Sequence, residues 1–280
     1  MLAKLLVRAV ERLVPWLPRA VDVPISIVAG TIAYLLSPGA RRAVRRNLEV
    51  VVPERTDRDA LVRRAFVAQV RHYLGIFRIA RLTTEEVRRT IEVRGWEHFA
   101  NAYATGKGVV MASAHLGPVS VCGQVFISRG VGVTMPIEKE TSEVSRAVNR
   151  ARRAMGLRFV ETGAALSIGR ILRRGGVLGI LADRAVTGIG ARVELFGRET
   201  LLPSAHVSLA LRSGAYVVPA FAHHERGRDV AEFEAPLELV STGDHDRDVR
   251  EGVRRFAERL EPHIRRAPEE WSVFEELWER

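Results

Sequence analysis

The chain has 280 residues, 47% of them hydrophobic and 27% charged, a composition that suits one sizeable domain or two small ones and speaks against long disorder and a multi-span membrane protein. The net charge is +10, carried by 40 arginines and only three lysines, Lys4, Lys107 and Lys139; guanidinium binds phosphate through a bidentate fork, so anionic partners are expected. A single cysteine, Cys122, excludes an internal disulfide framework and any Cys-based zinc or iron–sulfur cluster.

The charge is concentrated at one end, since residues 1–46 hold eight basic and two acidic side chains. Leu2, Leu5, Leu6, Ala9, Val10, Leu13 and Leu17 recur at helical spacing, with Lys4, Arg8 and Arg12 on another face. Such a basic amphipathic helix suits the headgroup region of an anionic leaflet, or docks on the protein's own core. Pro24 to Leu36 is the most apolar run, shorter than the roughly 20 residues that cross a bilayer. No small-residue cleavage site follows it, because Ser37-Pro38-Gly39 leads straight into Arg41-Arg42. Residues 1–46 are therefore read as a peripheral membrane-contact region facing the cytoplasm, with Arg41–Arg46 meeting anionic headgroups, and residues 47–280 as the main domain.

Helical periodicity continues over Arg55–Leu82, and a short helix starts at Thr84. Strands are predicted at Ile91–Arg94, Gly108–Ser113, Val131–Pro136, Arg158–Glu161, Val177–Ala182, Arg192–Leu195, Tyr216–Ala222 and Ala231–Leu239. Helices are predicted at Gly95–Thr105, from after His115 to Arg129, and at Ser142–Met155, Ala164–Arg174, Ser204–Arg212 and Arg247–Arg266. This alternation predicts an α/β fold with a mostly parallel central sheet flanked by helices and preceded by N-terminal amphipathic helices.

Ligands of α/β sheets bind at the carboxyl ends of strands, and Ala114-His115-Leu116-Gly117 sits at one such end. His115 is a candidate for chemistry there, or a structural histidine. Leu181-Ala182-Asp183-Arg184 ends a second strand, where Asp183 and Arg184 line the same crevice or form a salt bridge or helix cap. Asn149-Arg150-Ala151-Arg152-Arg153 is a solvated helix face or a phosphate patch. Familiar signatures are missing: no G-x-S-x-G surrounds Ser120, Gly106-Lys107-Gly108 is no P-loop, and Gly188 and Gly190 lack a third glycine. Cys122 reads as buried packing. His223-His224 have no partner at ligand spacing, so no metal is expected. With aromatic residues at 6% and arginines interleaved with aliphatics, stacking platforms are scarce and a nucleic-acid partner is not expected.

Taken in order, Ala114-His115-Leu116-Gly117, Asn149–Arg153 with Gly156, Leu181–Arg184, Phe196-Gly197 with Leu202-Pro203, and Ala210–Ala215 into Val218-Pro219 resemble the bacterial acyltransferases of lipid A and of mycobacterial phosphatidylinositol mannosides. The similarity covers nearly the whole chain, including Arg45–Leu48, Arg71-His72-Tyr73 and Arg265–Trp271, and Asp183-Arg184 favours the mannoside branch. It implies an O-acyltransferase moving a fatty acyl group from an acyl thioester, acyl-CoA or acyl-carrier protein, to a lipid hydroxyl, with no metal or resident cofactor. His115 would be the general base, and backbone N–H groups at the following helix start would hold the oxyanion. An apolar groove would accept the acyl chain, and Arg150, Arg153 or Arg184 would face phosphate. The family motif puts an acid five positions after the histidine, where this chain has Ser120. Ser120 is therefore expected to support His115 in its place, and Ser120→Asp to raise transfer. Another family acid aligns with Arg192, leaving Glu194 and Glu199 as substitutes. The alternative is a lipid-binding accessory protein that keeps the fold and groove with little catalysis.

Overall fold

The structure, a computed structural model, describes residues 2–79, 81–137, 142–161, 165–185 and 188–278, without the side chains of residues 2–6, 165 and 166. The chain begins with α1 (Leu2–Leu13), a 3₁₀ turn at Val14–Trp16, α2 (Asp22–Leu36), α3 (Pro38–Val51), α4 (Arg58–Ile79) and α5 (Thr84–Thr90). Then come β1 (Ile91–Arg94), α6 (Trp96–Ala104), β2 (Val109–Ser113), α7 (Ser120–Ile127), β3 (Val133–Ile137), α8 (Glu143–Ala154), β4 (Arg158–Glu161), α9 (Ala165–Arg173) and β5 (Val177–Leu181). The last elements are β6 (Ala191–Leu195), β7 (Arg198–Leu202), α10 (Ala205–Ser213), β8 (Tyr216–Glu225), β9 (Arg228–Phe233) and α11 (His245–Arg266).

Seven strands form one sheet in the order β1-β9-β8-β2-β5-β3-β4. All neighbours are parallel except β8 and β9. β2 is buried on both faces: Val110 and Ala112 join the core under α3, α4, α10 and α11, while Val109 and Met111 join the opposite core under α5, α6 and α7. That double burial is why the central strands read as continuous apolar runs.

Two antiparallel hairpins depart from the expected alternation. Arg226-Gly227 (φ 47° and 78°) joins β8 to β9, and Phe196-Gly197 (φ 54° and 71°) joins β6 to β7. Left-handed backbone at both loop positions is the twist-matched two-residue turn, which gives the Phe-Gly pair a structural role. β7 was not expected, and the strand predicted at Ala231–Leu239 runs instead over Arg228–Phe233, short of Pro236, which lacks an N–H for the ladder.

α3 runs unbroken through residue 46, the expected domain boundary, and buries Val44 and Leu48 in the sheet's own core. From Val7 onward α1 docks inward: its Val7 and Val10, with Val14 of the following 3₁₀ turn, pack with Leu74 and Phe77 of α4 and Ala147, Val148 and Ala151 of α8. The Leu2, Lys4, Leu5 and Leu6 side chains and the expected helix start at Ala164 lie outside the described residues. α2 behaves differently. Arg78 of α4 holds Asp22 at 2.6 Å and Tyr34 meets Phe66 edge-on at 5.7 Å, yet Val23, Ile27, Val28, Ile32, Leu35 and Leu36 are exposed. Of the twelve exposed large apolar side chains among the described residues, nine lie between Leu13 and Leu36, so exposed apolar surface is concentrated in this stretch. The helical run Arg19–Leu36 reaches 18 residues at mean hydropathy 1.5, which by length and composition alone is enough to cross a membrane, longer than the apolar run suggested. α2 itself, at 1.5 Å per residue, spans only about 22 Å of a hydrocarbon core of about 30 Å.

His206 of α10 is fully buried, its ring 4.8 Å from that of Phe256, and burial pushes its imidazole down to about 3. The unfolded chain binds a proton near pH 6.5 that the folded chain refuses until far lower pH, so this contribution to stability is complete above 6.5 and is lost as pH falls toward 3. In equilibrium unfolding, stability is expected to drop from pH 7 to pH 5, and His206→Leu to flatten that slope by up to about 1.4 kcal/mol per pH unit.

Candidate active site

The register of the central strands builds the site. β2 pairs with β5 so that Ser113 lies opposite Leu181, and the Ala182 amide continues the ladder by donating to the Ser113 carbonyl at 2.8 Å. Two residues further on, His115 and Asp183 stand side by side at the carboxyl ends of neighbouring parallel strands, where α/β sheets bind ligands. The His115 Nδ1 and Asp183 Oδ1 are 2.7 Å apart, and Asp183 Oδ2 accepts the His115 backbone N–H at 3.0 Å and the Trp271 indole N–H at 2.9 Å. Asp183 has no exposed surface. Burial alone would raise its pKa, but the imidazole and these hydrogen bonds together hold it below the ordinary carboxylate value. With Nδ1–H donated to the carboxylate, the lone pair of the neutral ring falls on Nε2, and the His115 side chain keeps 26% of its surface exposed.

The C-terminal segment fixes this backbone from the other side. Leu116 bridges to Trp271, the Gly117 amide donates to the Glu270 carbonyl at 3.0 Å, and the Ser272 amide donates to the His115 carbonyl at 2.7 Å. Gly117 has φ +54°, and a Cβ there would stand 2.3 Å from the Ala222 carbonyl oxygen, so a side chain is excluded on both counts. Glu270 is buried, its carboxylate taking Arg71 at 2.6 Å and the His224 amide at 3.2 Å. Burial raises its pKa despite the Arg71 charge.

Ser120 does not support His115. It is buried at the start of α7 and, among the described residues, its Oγ has no hydrogen-bond partner; the histidine's partner is Asp183, which the sequence placed in the same crevice without linking it to His115. The expectation that the orienting carboxylate is missing is therefore corrected, because the sheet register supplies it from another strand. Glu194 and Glu199, expected to stand in for the family acid aligned with Arg192, face each other across the β6–β7 hairpin, exposed, with Glu199 3.3 Å from Arg192. The expected oxyanion donors are partly committed, since the Gly117, Val119 and Val121 amides already donate to the Glu270, Gly117 and Pro118 carbonyls.

The arginines also sort differently. Arg150 makes a two-pronged contact with Glu11 of α1 at 2.7 and 3.0 Å, and Arg153 lies over the Phe159 ring at 5.1 Å. Arg184 pairs with Glu275 of the C-terminal segment at 3.1 Å. Arg152, which the sequence placed in the same solvated face or phosphate patch as its neighbours, lines a narrow apolar cavity of about 40 Å³ together with Met111, Ser113, Ser120, Cys122, Gly179 and Leu181. Burial lowers its pKa, the nearby Tyr73 opposing this. Helical spacing alone gave no signal that Arg152, rather than its neighbours, turns inward. Trp271, also missed, lay within the quoted C-terminal motif.

His223, Glu232 and His263 are close enough to share a cation. The Arg266 guanidinium occupies that place, with Nη2 2.8 Å from His223 Nε2, 2.7 Å from His263 Nδ1 and 3.0 Å from Glu232.

The chain matches the family model of bacterial lipid A biosynthesis acyltransferases over residues 2–280. It is 24% identical over 255 residues to a phosphatidylinositol mannoside acyltransferase of Mycobacterium tuberculosis, covering 88% of this chain and 79% of that protein. It is 24% identical over 253 residues to the protein of that name from Mycolicibacterium smegmatis, covering 88% and 82%. Among solved structures, the 1-acyl-sn-glycerophosphate acyltransferase of Thermotoga maritima aligns with a TM-score of 0.38 and 14% identity, over 87% of this chain and 98% of that one.

Two outcomes follow from the surroundings of Ser120 and Cys122. Ser120→Asp places an unpartnered carboxylate in a buried site and is expected to lower stability by about 1–3 kcal/mol in denaturant unfolding. Burial pushes the Cys122 thiol up to about 12, so at pH 8 iodoacetamide is expected to label it only after unfolding.

Proposed function

The chain belongs to the bacterial lipid A biosynthesis acyltransferase family, and from that premise we propose that it transfers a fatty acyl group from an acyl thioester, acyl-CoA or acyl-carrier protein, to a hydroxyl of a membrane phospholipid or glycolipid, with His115 as the base. The observation that carries this reading is the His115–Asp183 pair. His115 Nε2 takes the acceptor hydroxyl proton as the oxygen attacks the thioester carbonyl. Asp183 keeps the ring in the tautomer that leaves Nε2 basic and offsets the positive charge that then develops on it. Collapse of the tetrahedral intermediate breaks the carbon–sulfur bond, and the thiolate leaves with the proton held on His115, so ester and thiol form without a redox change.

The cavity beside Ser120 supports a place for the acyl chain. At about 40 Å³ it admits little more than a water, so an acyl chain must part its walls. Met111 and Met135 line it, and unbranched thioethers re-pack at low cost. Arg152 is the cation in that lining, suited to a phosphate of donor or acceptor. A phosphatidylinositol mannoside is the acceptor we favour, on the likeness to the mycobacterial proteins of that name. The exposed face of α2 supports peripheral contact with an anionic membrane at the cytoplasmic side of the plasma membrane, its apolar residues in the leaflet and neighbouring arginines at the headgroups. A non-catalytic lipid carrier of the same fold has no observation in its favour once Asp183 supplies the carboxylate.

With labelled acyl-CoA and total lipid, His115→Ala and Asp183→Asn are each expected to lower turnover by about 10⁴-fold and Ser120→Asp to give no gain; undiminished transfer by His115→Ala would overturn the mechanism. Gly179→Leu fills the cavity from β5, since a Cβ there lies in van der Waals contact with Met135 and Val133, both of which line it. It is expected to shift preference toward shorter acyl donors in a chain-length competition. Val23→Glu with Ile27→Glu is expected to abolish flotation with vesicles of phosphatidylcholine and phosphatidylglycerol.

A further inference from the structure

Where α2 ends and α3 begins, a hollow of about 260 Å³ is lined by Tyr34, Pro38, Arg41, Arg42, Arg45 and Val62. Like charges gathered round so small a space repel one another. Among the described residues, the ion pair these three arginines make is that of Arg45 with Asp59, whose side chain is 71% exposed. Arg41 lies 5.0 Å over the Tyr34 ring, which Phe66 holds edge-on from behind. One cation is thus steadied by an aromatic wall rather than by an anion. Leu35 and Leu36, at 60% and 77% exposure, end the exposed apolar face of α2 and lie in the chain between Tyr34 and Pro38 of the hollow's lining.

A cationic hollow at the end of a helix with an exposed apolar face complements a molecule with a phosphate at one end and acyl chains at the other. We propose that it binds the phosphate of one anionic glycerophospholipid, at a site separate from the His115 crevice. The phosphate oxygens take guanidinium N–H groups in forked pairs, while Leu35 and Leu36 meet the upper methylenes. The separation follows from α4: Val62 lines the hollow, whereas Arg71, which pairs with Glu270 beside the histidine segment, lies nine residues on, about 14 Å along the helix. The lipid held there is a positioning ligand rather than the acyl acceptor. The proposal rests on the membrane-contact reading of α2, and sharpens a diffuse attraction to anionic lipid into a stoichiometric site.

The test is calorimetric titration of the full-length protein with monomeric dihexanoyl phosphatidylglycerol, with dihexanoyl phosphatidylcholine and inorganic phosphate in parallel. Saturable binding of one phosphatidylglycerol per chain is expected, about tenfold or more tighter than either comparison ligand. The triple variant R41A/R42A/R45A is expected to lose about tenfold or more in affinity, and R41K/R42K/R45K, which keeps the charge but not the fork, to lose less. The charge-matched R228A/R247A/R250A is expected to bind as the wild type does. Equal losses in the two alanine triples, or full affinity in the lysine triple, would reduce the site to general electrostatics. Inorganic phosphate binding as tightly as the lipid would make it a free-phosphate site, and absence of saturable binding by the wild type would remove it. V23E/I27E is expected to retain this soluble-lipid binding while losing vesicle flotation, so the site and the membrane-contact reading fail independently.

Discussion

The parallel pairing of β2 with β5 is the constraint on which the His115–Asp183 pair depends. Its register sets Ser113 against Leu181, and the two residues that follow each strand carry His115 and Asp183 to the same level. A slip of one residue would turn one of the two side chains to the other face of the sheet. A carboxylate with no exposed surface is costly unless its lone pairs are filled, and here the donors come from three places: the His115 ring, the His115 backbone and Trp271. The C-terminal segment is therefore part of the site, although it follows α11 and lies more than 150 residues from the histidine in sequence.

That segment ties several regions together. Glu270 joins Arg71 of α4 to the amide of His224 at the end of β8, and Glu275 takes Arg184 next to the buried acid. Phe274 meets Phe66 of α4 edge-on at 4.9 Å, while Asn47 of α3 bonds the Val273 and Glu275 carbonyls. The N-terminal helices and the end of the sheet that carries His115 and Asp183 thus share one packing unit. α3 and α4 supply its inner wall, and α2 lies outside them with its apolar side uncovered. Opposite fates for α1 and α2 follow from what each meets: α1 finds α4 and α8 on its apolar stripe, whereas α2 has α4 on one side only.

The strand positions were legible because burial on both faces writes short apolar runs into β2, β5 and β8. His115 and Asp183 were legible as strand ends, and the motif order pointed to the family that the whole-chain match supports. The partnership of the two residues was not legible, because register between strands 68 residues apart leaves no local mark. Reading the acid from its linear offset pointed to Ser120 instead. β7 and the antiparallel return of β9 were missed because positive-φ turns at Phe196 and Arg226 use residues that give no turn signal of their own. Helical spacing likewise could not tell which arginine of α8 turns toward the cavity.

By itself the sequence determined the α/β class, the apolar central strands, the basic N-terminal end and the presence of a histidine and an acid at strand ends, since each of these is encoded by local periodicity or composition. Only the tertiary structure decided that Asp183 rather than Ser120 holds His115, that Arg150 and Arg153 serve α1 and Phe159 while Arg152 meets the cavity, and that the uncovered apolar surface belongs to α2. The physical reason is common to all three. Hydrogen-bond partners and exposure are set by which elements pack together across long separations in sequence, and a residue's neighbours along the chain carry no record of that choice.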